Sequence, residues 1–153
     1  MSAASHEFER ITRAIFQRLR EQFGFEHVEG SHHYQARDSG VKRQVDVTAY
    51  SPDEKRIIIE CKLHKRRVGI NYIDAFYTVI SVDVGADGGI MVSQSGFTKG
   101  AVRSAQAKQI ALATLNEDAT EHDFILRVNE LVFGGVSLLT PLRIIVADPE
   151  PEH

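Results

Sequence analysis

Apolar positions recur along this chain with two periods, and each change of period marks a change of element. In residues 5–23, Phe8, Ile11, Ile15, Leu19 and Phe23 return every three or four positions, which lays one stripe along an amphipathic helix. Ser5 reads as its N-cap and Gly24 as its stop. After a polar stretch rich in histidine and glycine, residues 44–50 alternate as a strand, with Val45 and Val47 on one face and Gln44, Asp46 and Thr48 on the other. Ser51-Pro52-Asp53 is a turn signal, so a second strand over 56–62 closes a hairpin. Its unbroken Ile57-Ile58-Ile59 run predicts a strand covered on both faces, hence a central one.

Downstream, Ile73, Phe76, Tyr77 and Ile80 predict a helix over 70–83, residues 88–93 a strand, 98–108 a helix capped by Thr98, and 110–115 a further strand. Strand and helix in alternation predict crossover units around a partly parallel sheet. Pro141 followed by apolar residues 142–146 reads as a last edge strand, and 148–153 as an acidic tail.

The totals narrow the class without choosing a function. The chain has 153 residues, 42% of them hydrophobic and 25% charged, which suits a single globular domain with a core over about 5–115 and a C-terminal extension over 116–147. The start lacks a cationic, apolar leader and no apolar run reaches membrane-spanning length, so the expectation is a cytoplasmic protein without a membrane partner. The lone Cys61 has no internal disulfide partner, in keeping with a reducing compartment. Net charge is −3, so a nucleic-acid partner would have to be met by a local basic patch.

The chemistry concentrates where the isoleucine run ends. On a strand, Glu60 and Lys62 share a face while Cys61 points the other way, into packing. The hairpin register brings Asp46 near them. Two carboxylates make a hard-oxygen site for Mg²⁺, which keeps waters and polarises phosphate, and an ammonium beside it can hold or deprotonate the attacking water or steady developing negative charge. A Glu-x-Lys pair alone is also what a surface ion pair beyond a core strand looks like. Its company favours the first reading: a carboxylate on the partner strand, an apolar run leading to the sheet end, and a helix upstream.

Asp46, thirteen residues, then Glu60-Cys61-Lys62 resembles the signature of the PD-(D/E)xK restriction-endonuclease-like nucleases. The context resembles their Mrr-type branch: "EFERITRAIFQRLREQFGF" is similar to its first helix, and residues 88–115 to its strand, helix and strand after the motif. The resemblance covers residues 7–115. It implies an α/β fold with a central mixed β-sheet flanked by helices (an αβββαβ core), Asp46 and Glu60 as metal ligands, Lys62 as the catalytic lysine, and Glu9 as a further acidic catalytic residue, Glu7 being the poorer match. The implied function is a Mg²⁺-dependent DNA endonuclease of the Mrr-like restriction type, with Mn²⁺ as a substitute. The alternatives are a Holliday-junction-resolvase-like nuclease, or a catalytically silent nucleic-acid-binding or assembly module of the same fold. One departure is the segment before Asp46, Gly40-Val41-Lys42-Arg43-Gln44-Val45, where many Mrr-type members are glycine-rich.

Beyond the motif, Lys65, Arg66 and Arg67 form a basic run with His64, and Lys99, Arg103 and Lys108 add to it from the later helix. Such groups bind phosphate without regard to sequence. Thr98 has two readings, a phosphate-binding helix start and a plain cap, the second favoured. Gln44 is either a contact to metal water or phosphate or a solvated strand residue. Adjacent His32 and His33 face opposite ways on extended chain, a poor start for zinc. The stripe of Tyr72, Phe76 and Tyr77 could stack bases or form a dimer surface, but helical spacing favours core or interface packing. Cutting two strands takes two sites, so a homodimer is expected, and target selection points to a separate recognition domain or subunit.

Overall fold

The computed structural model describes residues 3–18 and 20–118 and, beyond them, the strand segments at 123–128, 132–133, 136–137 and 142–144. Helix α1 (Ala3–Arg18) is followed by the short α2 (Arg20–Phe23), and Gly24 ends it at φ 74° as expected. Ser5 is not the cap: it lies inside α1, which already runs at Ala3. Leu19 lies outside the described residues.

The strands are β1 (His27–Glu29), β2 (His32–Gln35), β3 (Lys42–Val45), β4 (Val47–Tyr50), β5 (Arg56–Lys62), β6 (Gly88–Ser93), β7 (Ala111–Asp118), β8 (Asp123–Val128), β9 (Val132–Phe133), β10 (Val136–Ser137) and β11 (Leu142–Ile144). Seven of them form one mixed sheet in the order β1-β4-β5-β6-β7-β8-β11. The β4–β5 hairpin is antiparallel, with Tyr50 opposite Arg56 and Val47 opposite Ile59. Two parallel crossovers follow, through α3 (Ile70–Thr78) and α4 (Lys99–Lys108). β8 was not foreseen, while β11 is the expected edge strand; Pro141 and the tail lie outside the described residues. No helix among the described residues is long and apolar enough to cross a membrane.

Two expected elements are subdivided. The strand over 44–50 breaks at Asp46: β3 leaves the main sheet to pair with β2, while β4 stays in it. Val45 and Val47 consequently serve opposite cores rather than one face. The helix over 70–83 is α-helical only to Thr78 and finishes as a π-helical turn, Val79–Val84, because Gly85 accepts the left-handed conformation at φ 70° and closes it.

The sheet separates two cores. On one side α1 packs Phe8, Ile11, Ile15 and Phe16 against Val47, Ile57 and Ile59; on the other α3 and α4 pack Ile73, Phe76 and Ala101 against Ile58 and Met91. Alternation along β5 thus sends neighbouring isoleucines into different cores, each burial contributing about 1.5–3 kcal/mol. α3 approaches β6 so closely that a Cβ at Gly89 would stand 2.3 Å from Ile80 Cδ1. The motif strand is therefore fixed from both faces, and its polar end inherits that rigidity.

Candidate active site

Past Ile59 the alternation of β5 continues into chemistry. Cys61 packs toward the α1 core, where burial and then the Asp46 charge push its thiol well above the usual range, so it is no nucleophile. Glu60 and Lys62 share the other direction, with Lys62 Nζ 3.6 Å from Glu60 Oε1 and side chains 22% and 30% exposed respectively. Lys62 Nζ also stands 5.0 Å over the Tyr72 ring, which His64 meets edge-on at 5.0 Å.

Asp46 occupies the bend between β3 and β4. The β4–β5 ladder runs Val47 opposite Ile59 and stops there; at the next step Asp46 Oδ2 accepts a hydrogen bond from the Cys61 amide at 2.9 Å. A side-chain oxygen thus stands in for the ladder carbonyl. That substitution frees the backbone to turn away and ties the carboxylate to the strand bearing Glu60.

Glu9 arrives from α1, next to the buried Phe8, and shares a hydrogen bond with Asp46. Burial, then the Asp46 charge and this bond, push Glu9 up to about 7. Burial also raises Asp46, opposed by the Cys61 amide, the Glu9 bond and the Lys62 charge. Glu60 is raised by burial and by Asp46, with Lys62 opposing. All three carboxyls therefore resist ionisation, chiefly because burial penalises their charged forms. Glu7 lines the same opening but is ion-paired with Arg10, so Glu9 is the acid that reaches Asp46.

Two cavities flank this group. One of about 370 Å³ reaches Asp46 and Glu9 and is walled by His6, Arg10, Arg13 and Ser31. The other, about 220 Å³, reaches Glu60 between Lys42, Gln44 and Phe76. Among the described residues no three His, Cys, Asp or Glu side chains already form a metal cage. The donor set nonetheless suits a hard cation that retains its waters: two partly buried carboxylates, each raised chiefly by burial with the Lys62 charge opposing, fit Mg²⁺, which takes one or two protein carboxylates and dehydrates reluctantly.

The basic run falls beside the site. Lys65, Arg66 and Arg67 are exposed, and none has an ion-pair partner among the described residues. Their segment lies along residues 94–98, through the Val68 to Phe97 bridge and the amide of Val68 donating to Gly96; Lys99 and Arg103 are exposed on α4, which starts directly after that stretch. Lys108 is withdrawn from that patch: its Nζ contacts Ser104 at 2.9 Å and Asp74 at 3.3 Å, clasping α4 to α3. Thr98 accepts from the Ala101 amide at 3.1 Å and is a cap. Gln44, parted from Asp46 by the bend, is exposed and donates to Ser31 Oγ at 3.4 Å. Phe76 is core, as expected, but Tyr72 and Tyr77 are 42% and 41% exposed. The place of Tyr72, carried by α3 over Lys62, is what sequence reasoning did not anticipate, since helical spacing assigns it to packing.

Comparison with known proteins agrees with this architecture. No curated protein matches the chain. Among solved structures, a protein of unknown function, AF1548, superposes with a TM-score of 0.58 at 22% identity, over 72% of this chain and 57% of that one. VC1899 from Vibrio cholerae superposes with a TM-score of 0.58 at 17% identity, over 71% of this chain and 30% of that one. The chain thus spans between three tenths and three fifths of the length of these structural relatives, and the likeness is one of fold. In sequence, the family model Mrr_cat, restriction endonuclease, matches residues 1–118, the stretch that carries Glu9, Asp46, Glu60 and Lys62, and the chain belongs to that family.

Proposed function

We propose that this protein is a divalent-metal-dependent DNA endonuclease of the Mrr-like restriction type, which hydrolyses phosphodiester bonds at the end of β5. The observation that carries the reading is the convergence of Asp46, Glu60 and Lys62 at one strand end, with Glu9 bonded to Asp46, in a chain of the restriction-endonuclease family. A module that had lost catalysis would have no physical reason to hold three raised carboxyls together against their mutual repulsion.

Asp46 and Glu60 are the residues to hold Mg²⁺, or Mn²⁺ in its place. Bound there, the ion supplies positive charge to the phosphate and acidity to a coordinated water. The chain's own groups do the rest. Lys62, confined between Glu60 and the Tyr72 ring, presents an ammonium to the phosphate oxygens and steadies charge as it builds. Glu9, raised toward neutrality beside Asp46, would give up its proton more readily with a cation held there. Lys65, Arg66, Arg67, Lys99 and Arg103 bind backbone phosphates on the flank. We further read residues 1–153 as one nuclease domain acting as a homodimer, one active site for each strand of the duplex.

A cleavage panel of linear, supercoiled, methylated and four-way-junction DNA, with Mg²⁺, with Mn²⁺ and with chelator, tests the assignment. Metal-dependent cutting of the duplex substrates is expected. Cutting confined to the four-way junction would reassign the substrate, and binding without cutting in any metal would leave a silent module.

A further inference from the structure

The bend at Asp46 has a product that the catalytic group does not use. β2 and β3 form a separate two-stranded ribbon whose last residue, Val45, directly precedes Asp46. Cross-strand register sorts its side chains into two faces. His32 opposite Val45 and Tyr34 opposite Arg43 make one; His33 opposite Gln44 and Gln35 opposite Lys42 make the other. The first face is the anchor. Val45 is 4% exposed in the α3 core, Tyr34 packs against that core beneath the Arg56 guanidinium, and Arg43 Nε donates to the buried Asp83 at 2.9 Å. The turn is pinned as well, Arg37 donating to the carbonyls of Ser81 and Val82 at 2.9 and 3.1 Å.

The second face is entirely exposed: an imidazole, two carboxamides and an ammonium, with no carboxylate among them. Its one formal charge is the Lys42 ammonium, Arg43 being paired with Asp83 and Arg37 tied to the Ser81 and Val82 carbonyls. All four residues of β3, Lys42, Arg43, Gln44 and Val45, wall the cavity that reaches Glu60, so the ribbon borders the catalytic group.

We propose that His33, Gln35, Lys42 and Gln44, the outer face of the β2–β3 ribbon, form a reading surface that lies in the major groove of duplex DNA beside the scissile phosphate. The inference rests on the nuclease reading for what lies next to the ribbon and goes beyond it in saying how target DNA is selected. Strands about 4.8 Å apart and four residues long make a ribbon roughly 13 Å in length, within reach of a groove about 12 Å wide that admits a two-stranded ribbon. The groups are those that read base edges there: a carboxamide pairs with adenine, an ammonium accepts nothing and donates to guanine. A solvated hairpin has no need of an ion pair to a buried aspartate to hold its back or of a carboxylate-free front. The deep, narrow major groove of A-form RNA shuts such a ribbon out, which commits the surface to B-form duplex.

A photo-crosslinking residue in place of Gln35 in the full chain, with one in place of the exposed Glu26 as reference, tests the contact whether or not the protein cuts. The Gln35 probe should crosslink a short DNA duplex in Ca²⁺, lose the crosslink to the major-groove ligand methyl green but not to the minor-groove ligand netropsin, and ignore double-stranded RNA. In parallel, the fragment ends left by the parent and by His33→Ala/Gln35→Ala are sequenced. The variant should relax base preference at the contacted positions by about tenfold or more for each lost contact while still cutting. Crosslinking with no cleavage by the parent would remove the catalytic reading and leave the surface standing. Cleavage with crosslinking no stronger than at Glu26, or insensitive to methyl green, or with end preferences unchanged in the variant, would overturn the surface and leave the catalysis.

Discussion

Asp46 Oδ2 accepts a hydrogen bond from the Cys61 amide at 2.9 Å, and this one contact both breaks a strand and assembles a site. It replaces the ladder carbonyl, releases β3 into the ribbon, and fixes a carboxylate within electrostatic reach of Glu9, Glu60 and Lys62.

The first prediction separates those two duties of Asp46. Asp46→Asn keeps an oxygen to accept the Cys61 amide and removes a charge, so the metal-free protein should melt no lower than the parent, while most of the stabilisation by added Mg²⁺ or Ca²⁺ disappears. Asp46→Ala loses the acceptor as well and should cost about 1–3 kcal/mol without metal. Thermal melts of the three proteins across a divalent-metal titration check this, and an equal metal response in parent and Asn variant would assign Asp46 to structure alone.

The carboxyl cluster sets a sign for pH dependence. Glu9 is raised from 4.5 to about 7 in the folded protein, by burial first and Asp46 next, so between those values the folded state binds more protons than the unfolded. The stabilisation is complete below the unfolded value and is lost as pH rises through about 7; Asp46 and Glu60, both raised chiefly by burial, act in the same direction. Metal-free melting temperature should fall from about pH 5 to about pH 8, less steeply in Glu9→Gln, and added Mg²⁺ should recover most at the high end. A metal-free melting temperature that climbs over that window contradicts the coupling.

Lys62 needs its aromatic neighbour. Tyr72 is 42% exposed, with Lys62 Nζ 5.0 Å over its ring, so its loss should cost position rather than fold. A cation–π contact worth about 1 kcal/mol implies a roughly fivefold drop in kcat for Tyr72→Leu with KM little changed, and recovery in Tyr72→Phe. Steady-state cleavage by the two variants decides; equal loss in both, or an effect confined to KM, would make Tyr72 a substrate contact instead.

The exposed basic run should show itself through salt. Replacing Lys65, Arg66 and Arg67 with Ala removes up to three phosphate contacts and should weaken binding across DNA sequences, lowering the slope of log affinity against log salt by up to about 2.7. Fluorescence anisotropy over a salt series measures both, and an unchanged slope would mark the run as a solvated face.

Much of this was legible beforehand, because burial writes itself into period. The Ile57-Ile58-Ile59 run located β5 to the residue and implied the double cover that the two cores supply. The stripe of Phe8, Ile11 and Ile15 identified α1, though not its start at Ala3 or its separation from α2, and Glu9 beside it followed from family resemblance. The bend at Asp46 was hidden, since Val45-Asp46-Val47 alternates as any strand does and only a bond to an amide fifteen residues on turns the chain. The ribbon was hidden because its anchor is small, Tyr34 and Val45 with one ion pair to the buried Asp83, beneath a polar face that reads as loop. Lys108 counted as free charge until Asp74, on another helix, claimed it.

The central claim is that the end of β5 is a metal-dependent phosphodiesterase site built on Asp46, Glu60 and Lys62. Nicking of supercoiled plasmid, followed for the parent, Asp46→Asn, Glu60→Gln and Lys62→Met at saturating Mg²⁺ and Mn²⁺ and again with chelator, tests it most directly. Nicking by the parent should require the metal and fall by roughly a hundredfold or more in each variant, the scale of losing one electrostatic element of catalysis. Nicking that survives chelator, or that persists at the parent's rate in the three variants, would contradict the account.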